Sequence, residues 1–204
     1  VECADPVFSL YPARQPESVK NKVILIMTTI LRWGPKGSSE QDTRIRRWAN
    51  VLSQVAEELE VELELYPFSP HCKWHDDRVR AKEFQDRFPG QINIMSSETS
   101  GYADVVDDLN NCRAVISDRY HGLILSALNG IPFLGVAQDT KQRNVSLQLN
   151  QPWLYPENRE GRHNIEASFR DLLMRETHWR KELLDHRGRI IEMAEQNFDV
   201  LKQL

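Results

Sequence analysis

Apolar residues fall along this chain in short solid blocks, and amphipathic stretches separate them. Val23-Ile24-Leu25-Ile26-Met27 is a continuous apolar run of strand length, the pattern of a parallel strand buried on both faces. Ser38-Ser39-Glu40-Gln41-Asp42 then supplies an N-cap with an acidic first turn. Ile45, Trp48, Ala49, Leu52, Val55, Ala56 and Leu59 follow on one helical stripe. Val61 to Tyr66 alternates apolar residues with glutamate, a strand closed by Pro67 and Pro70. Arg78 to Phe88 reads as a short helix ended by Pro89-Gly90, and Ile92 to Met95 as a third strand. Tyr102 to Asn111 is a helix leading into a fourth strand, Ala114-Val115-Ile116-Ser117. Gly122 to Asn129 is a short apolar helix stopped by Gly130 and Pro132, and Phe133 to Ala137 is a fifth strand.

This alternation predicts an α/β fold, a Rossmann-like parallel sheet with helices on both faces. From Asn164 onward there is no strand signal and almost no Gly or Pro. Leu172, Leu173, Trp179, Leu183, Leu184, Ile190, Ile191, Met193, Ala194, Phe198 and Leu201 recur at helical spacing, which predicts one short helix and one long one. No internal repeat or low-complexity linker appears. The chain therefore divides into a Rossmann-like domain over residues 1–160 and a C-terminal helical extension over 161–204.

Composition narrows the partners. With 40% hydrophobic and 27% charged residues in 204, this is an ordinary globular chain able to bury a core. Its 26 basic and 30 acidic side chains leave a net charge of −4 with no face-long basic run, which argues against nucleic acid. Any anion site must be local. Cys3, Cys72 and Cys112 are scattered without CxxC spacing, which argues against a disulfide framework or zinc ribbon and suits a reducing compartment. His71 and His75 have a spacing that binds metal on a helix, but Pro67 and Pro70 lie just upstream and no third ligand is evident, so no metal is expected. No apolar run approaches a membrane span and no signal-like segment opens the chain. The expected location is the cytoplasm, free or peripheral at the inner face of the membrane. Val1 stands where a Met would begin a complete protein, and the first residues read as mid-fold, so a piece of a longer protein is expected.

The candidate chemistry sits between the Ala114 strand and the Gly122 helix. Asp118-Arg119-Tyr120-His121 places an arginine and an imidazole at a strand's carboxyl end, beside a helix N-terminus. Open α/β sheets hold ligands there, and unpaired backbone N–H groups with the helix dipole favour an anion. Local capping and pairing is the plainer alternative, but two cationic-capable groups at one crevice have no evident structural need. Asp76 and Asp77 read as caps of the helix that follows them. The five tryptophans are scattered. Trp33 and Trp153, read in loops at cleft positions, are the two worth testing as sugar-stacking rings. The Glu/Arg-rich stretch from His178 to Arg189 reads as a solvated helix face laced with i,i+4 pairs.

Asp118-Arg119-Tyr120-His121-Gly122 through Gly130-Ile131-Pro132-Phe133-Leu134-Gly135-Val136, followed by Asp139-Thr140-Lys141, resembles the signature of the polysaccharide pyruvyl transferases. Ala4-Asp5-Pro6-Val7-Phe8 resembles the segment that opens that family's second half. Val23 to Arg32 resembles its first strand there, and Pro67-Phe68 through Asp76-Asp77 the loop after its second. The likeness covers roughly the first two thirds of the chain. It implies the C-terminal half of a GT-B-like enzyme of two facing Rossmann-type domains. The implied reaction moves an enolpyruvyl unit from phosphoenolpyruvate onto a saccharide or lipid-linked saccharide, forming a pyruvate ketal on a cell-surface glycan. The partner across the cleft is an N-terminal domain or another chain, and no cofactor is called for.

The resemblance assigns roles. Arg32 and Arg119 clamp the donor's carboxylate and phosphate, as planar guanidinium groups do. His121 moves the proton, Lys141 adds charge at the leaving phosphate, Asp118 orients the arginine or imidazole, and Gly122 lies against the donor. Two other functions compete. A nucleotide-sugar glycosyltransferase would hold a diphosphate at the Gly122 helix and reach the ribose with Asp139, but a glycine-rich turn would suit it better than Arg119 and His121. A non-catalytic domain would dock through its long C-terminal helices.

Overall fold

A computed structural model describes residues 4–10, 13–14, 20–27, 39–68, 77–87, 90, 92–94, 102–156 and 164–202. In chain order its elements are α1 (Val7–Leu10), β1 (Lys22–Ile26), α2 (Ser39–Glu58), β2 (Glu62–Leu65), α3 (Asp77–Arg87), β3 (Asn93–Ile94) and α4 (Tyr102–Leu109). They continue with β4 (Ala114–Ser117), α5 (Tyr120–Leu128), β5 (Phe133–Val136), α6 (Thr140–Gln148), β6 (Trp153–Leu154), α7 (Ile165–Met174) and α8 (Glu176–Lys202). The strands form one sheet in the order β3-β2-β1-β4-β5-β6. Every pairing is parallel; Val23 faces Leu63 on one side and Ala114 on the other, and Ile116 faces Leu134. The order runs outward in both directions from the β1–β4 junction, so this junction is the topological switch point.

Strand alternation divides the core into two layers. Val23, Leu25, Ala114, Ile116, Leu134 and Val136 point to a layer filled by α2, α3 and α7. Ile24, Ile26, Val115 and Phe133 point to the other, filled chiefly by α5 with Phe8 of α1, Leu109 of α4 and Leu183, Ile190 and Ala194 of α8. The solid apolar runs of β1 and β4 follow from this double burial. β2 is covered differently. Leu63 and Leu65 enter the first layer, while Glu64 holds the ammonium of Lys22 across the strands at 2.7 Å.

The expected stripe of α2 is buried from Ile45 to Ala56. The two C-terminal helices are where helical spacing placed them. α7 closes the first layer with Ile165, Phe169, Leu172 and Leu173, and Arg170 joins Glu58 of α2 at 2.6 Å. α8 packs against α1, α5 and α7. There Arg180 Nη1 donates to the Gly130 carbonyl at 2.6 Å, and Arg187 Nη1 donates to the Leu128 carbonyl at 3.0 Å. Cationic side chains thus meet the carbonyl end of α5, where the helix dipole is negative.

The structure departs from expectation at Trp153. It lies on β6, an edge strand paired with β5, and the Arg143 guanidinium stands 5.3 Å from its ring centre. Two residues after a proline are too short a run for alternation to reveal a strand.

Candidate functional site

Everything at the site begins with how β4 ends. The Asp118 N–H still donates to the Ile26 carbonyl at 3.0 Å, extending the β1–β4 ladder one residue past the strand. Ser117, fully buried, then turns the chain. Its hydroxyl accepts the Arg119 N–H at 3.0 Å and donates to the Arg119 carbonyl at 3.0 Å. Arg119 is left extended at φ −98°, ψ 125° as the N-cap of α5, and its own side chain does not cap that helix. The first N–H groups of a helix have no intrahelical acceptor, so the start of α5 brings backbone donors to the switch point.

Gly122 lets this helix start so close to the sheet. A Cβ there would lie 2.5 Å from Ser117 Oγ and 3.1 Å from Ile26 Cδ1. Its missing side chain therefore faces β1 and β4, and what it can offer a ligand is its backbone N–H.

Arg119 is three-quarters buried, and its Nη2 donates to Asp77 Oδ1 at 2.7 Å. Asp77 is the first residue of α3 and is wholly buried. The carboxylate expected as a helix cap thus receives the site's arginine, across 42 residues of sequence. His121 is exposed on the first turn of α5, with the Tyr120 ring edge-on at 5.4 Å.

Asp118 is buried behind them. Gln138 Nε2 reaches its Oδ2 at 3.5 Å, and Gln142 Nε2 donates to its carbonyl at 3.1 Å. Sequence patterns gave no sign of Gln138 and Gln142, since polar residues near a helix start are ordinary. They bring the start of α6 against Asp118. Asp139 caps α6, accepting the Lys141 N–H at 2.7 Å in a capping box with Gln142. Lys141 itself is exposed in that first turn.

Asp118, Arg119, His121 and Gly122 thus converge at the carboxyl ends of β1 and β4, with Lys141 one strand over, past β5. Arg32, Trp33, Asp76, His71, Cys72 and His75 lie outside the described residues. Among the described residues, no group of three or more His, Cys, Asp or Glu side chains is placed to hold a metal, and no helix is long and apolar enough to cross a membrane. Chemically, the arrangement offers a held guanidinium, an accessible imidazole and backbone donors, a set suited to a small oxyanion with a proton to exchange.

Residues 1–140 match the family model described as polysaccharide pyruvyl transferase. Among solved structures, the chain is similar to UDP-GlcNAc 2-epimerase from Neisseria meningitidis bound to UDP-GlcNAc, with a TM-score of 0.55 at 16% identity over 92% of this chain and 45% of that one. The glycosyltransferase SnogD from Streptomyces nogalater gives 0.50 at 17% identity, over 89% of this chain and 44% of that one. The GtfA/B complex gives 0.55 at 13% identity, over 92% and 37%. This chain spans less than half the length of each. At such identities the likeness is one of fold, a Rossmann-like α/β unit of the GT-B kind. No functionally curated protein is detectably similar in sequence to the chain.

Proposed function

This chain belongs to the polysaccharide pyruvyl transferase family, and we propose that it forms the phosphoenolpyruvate-binding half of an enzyme that builds a pyruvate ketal on a glycan sugar. The observation that carries the reading is the N-terminus of α5 at the switch point, flanked by Arg119 and His121. The acceptor, a saccharide or lipid-linked saccharide, is met across the cleft by an N-terminal domain or another chain.

Phosphoenolpyruvate carries a carboxylate and a phosphate on one planar carbon. Arg119 binds one of these oxyanions in the plane of its fork, and the N–H groups of α5, that of Gly122 included, take the phosphate. Arg32 supplies the second guanidinium, and Lys141 adds a point charge on the phosphate side. In the reaction the donor's methylene carbon gains a proton, one sugar hydroxyl bonds to the central carbon, and the bond from that carbon to the phosphate oxygen breaks. A second hydroxyl then closes the ketal, and phosphate leaves. Two hydroxyl protons are released, one matched by the new methyl hydrogen and one by the departing phosphate. His121 is the exposed side chain beside the donor that can pass the proton. Asp118, braced by Gln138, orients the turn that carries Arg119.

The test is the pH profile of ketal formation with the acceptor side present. His121→Gln is expected to lower kcat by about a hundredfold or more and to abolish one limb of the profile. A profile that keeps its limb removes His121 from the proton transfer.

A further inference from the structure

We infer that Asp77 is a positioning residue for the donor site, fixing the guanidinium of Arg119 in the attitude that meets the anion. The inference rests on the reading of this site as a phosphoenolpyruvate site. Asp77 opens α3, which follows β2, and Arg119 opens α5, which follows β4, so their contact bridges the two sides of the switch point. The bond is short, at 2.7 Å, and joins a carboxylate with no exposed surface to a side chain that is 25% exposed.

A buried ion pair is a poor device for stability, because an apolar pair of similar volume serves at least as well. Its use here is geometric. An arginine stem carries roughly 2 kcal/mol of rotamer entropy, and a free one would sweep across the mouth of the α5 N-terminus. With Nη2 on Asp77, the fork is restrained before any ligand arrives, which lowers the ordering cost of binding. A guanidinium has five N–H donors in its plane, so the bond to Asp77 does not use up its capacity for an oxyanion. Charge alone argues the opposite way. Asp77 offsets the positive charge of Arg119, so if it only neutralised the site, its removal would tighten anion binding. Positioning and neutralisation thus predict opposite signs for one substitution.

The experiment has two arms. In the ligand-free chain, nitrogen NMR of the Arg119 guanidinium is expected to show separate, slowly exchanging Nη signals in the wild type that merge in Asp77→Asn. Merged signals in the wild type overturn the clamp. In the second arm, the folded variants are titrated with phosphoenolpyruvate. Asp77→Asn is expected to weaken binding at least about tenfold, and the Asp77→Asn/Arg119→Ala double variant to bind no more weakly than Arg119→Ala alone. Unchanged or tighter binding by Asp77→Asn overturns the inference, as do independent, additive losses. If Asp77→Asn fails to fold, Asp77→Glu keeps the charge but shifts the carboxylate by one methylene. A similar loss of affinity then supports positioning, and full affinity overturns it. A wild type that ignores phosphoenolpyruvate sinks the donor reading instead, and the NMR arm still decides what Asp77 does to Arg119.

Discussion

Gly122 is the residue on which the geometry of the β4–α5 turn depends most. Ser117 Oγ is held by two bonds to Arg119, so it cannot swing away from the 2.5 Å approach a new Cβ would make. Gly122→Ala must push α5 off the sheet or break the Ser117 turn. The expected cost is about 1–3 kcal/mol, the range for overpacking a tight site, with a fall in Tm of roughly 2–4 °C per kcal/mol. Thermal unfolding checks this, and an unchanged Tm would show that the helix has slack the structure does not display. Cys112, just before β4, gives a second prediction. Burial pushes its thiol from 9.0 up to about 12, against the smaller opposing pull of Lys22 and Arg180. The folded protein therefore keeps the proton at pH values where the unfolded chain has released it. The thiol's contribution to stability is complete below pH 9.0 and is lost as pH rises through the window to about 12, at no more than about 1.4 kcal/mol per pH unit. Denaturant unfolding from pH 8 to pH 11 is expected to show a steeper alkaline loss in the wild type than in Cys112→Ala. Parallel curves would contradict it.

Elements were legible in proportion to how much one-dimensional pattern their packing leaves behind. β1 and β4 are buried on both faces, so both read as solid apolar runs, and the stripe of α2 reads directly as the side it turns to the sheet. α7 and α8 were legible for the same reason. α6 left little trace, because its buried positions include Gln142 and Ser146, whose polar atoms are satisfied by Asp118 and by the helix itself. β6 was illegible for want of length. At the site, the consecutive residues Asp118 to Gly122 stand out because they are one turn and share a motif. The Asp77–Arg119 pair could not be found that way. An aspartate at a helix start looks like a cap in any sequence, and only the fold brings α3 beside α5. Gly122 was placed with the donor by resemblance, whereas the structure makes packing against Ser117 and Ile26 its evident constraint.

On the scale of the whole molecule, the two ends of the sheet are put to different uses. At the amino end, arginines of α8 satisfy carbonyls at the end of α5 and the turn after it. The carboxyl end carries Arg119, His121 and the start of α5. The chain spans less than half the length of the structures it resembles in fold, and under the proposed function the carboxyl end of its sheet is one side of a two-sided cleft. If that side is the donor side, it needs no acceptor to bind its anion. The most direct measurement is calorimetric titration of this chain with phosphoenolpyruvate and, separately, with UDP-sugars, for the wild type and Arg119→Ala. The expected result is a phosphoenolpyruvate isotherm that Arg119→Ala abolishes and no heat from UDP-sugars. A UDP-sugar isotherm with none for phosphoenolpyruvate would contradict it.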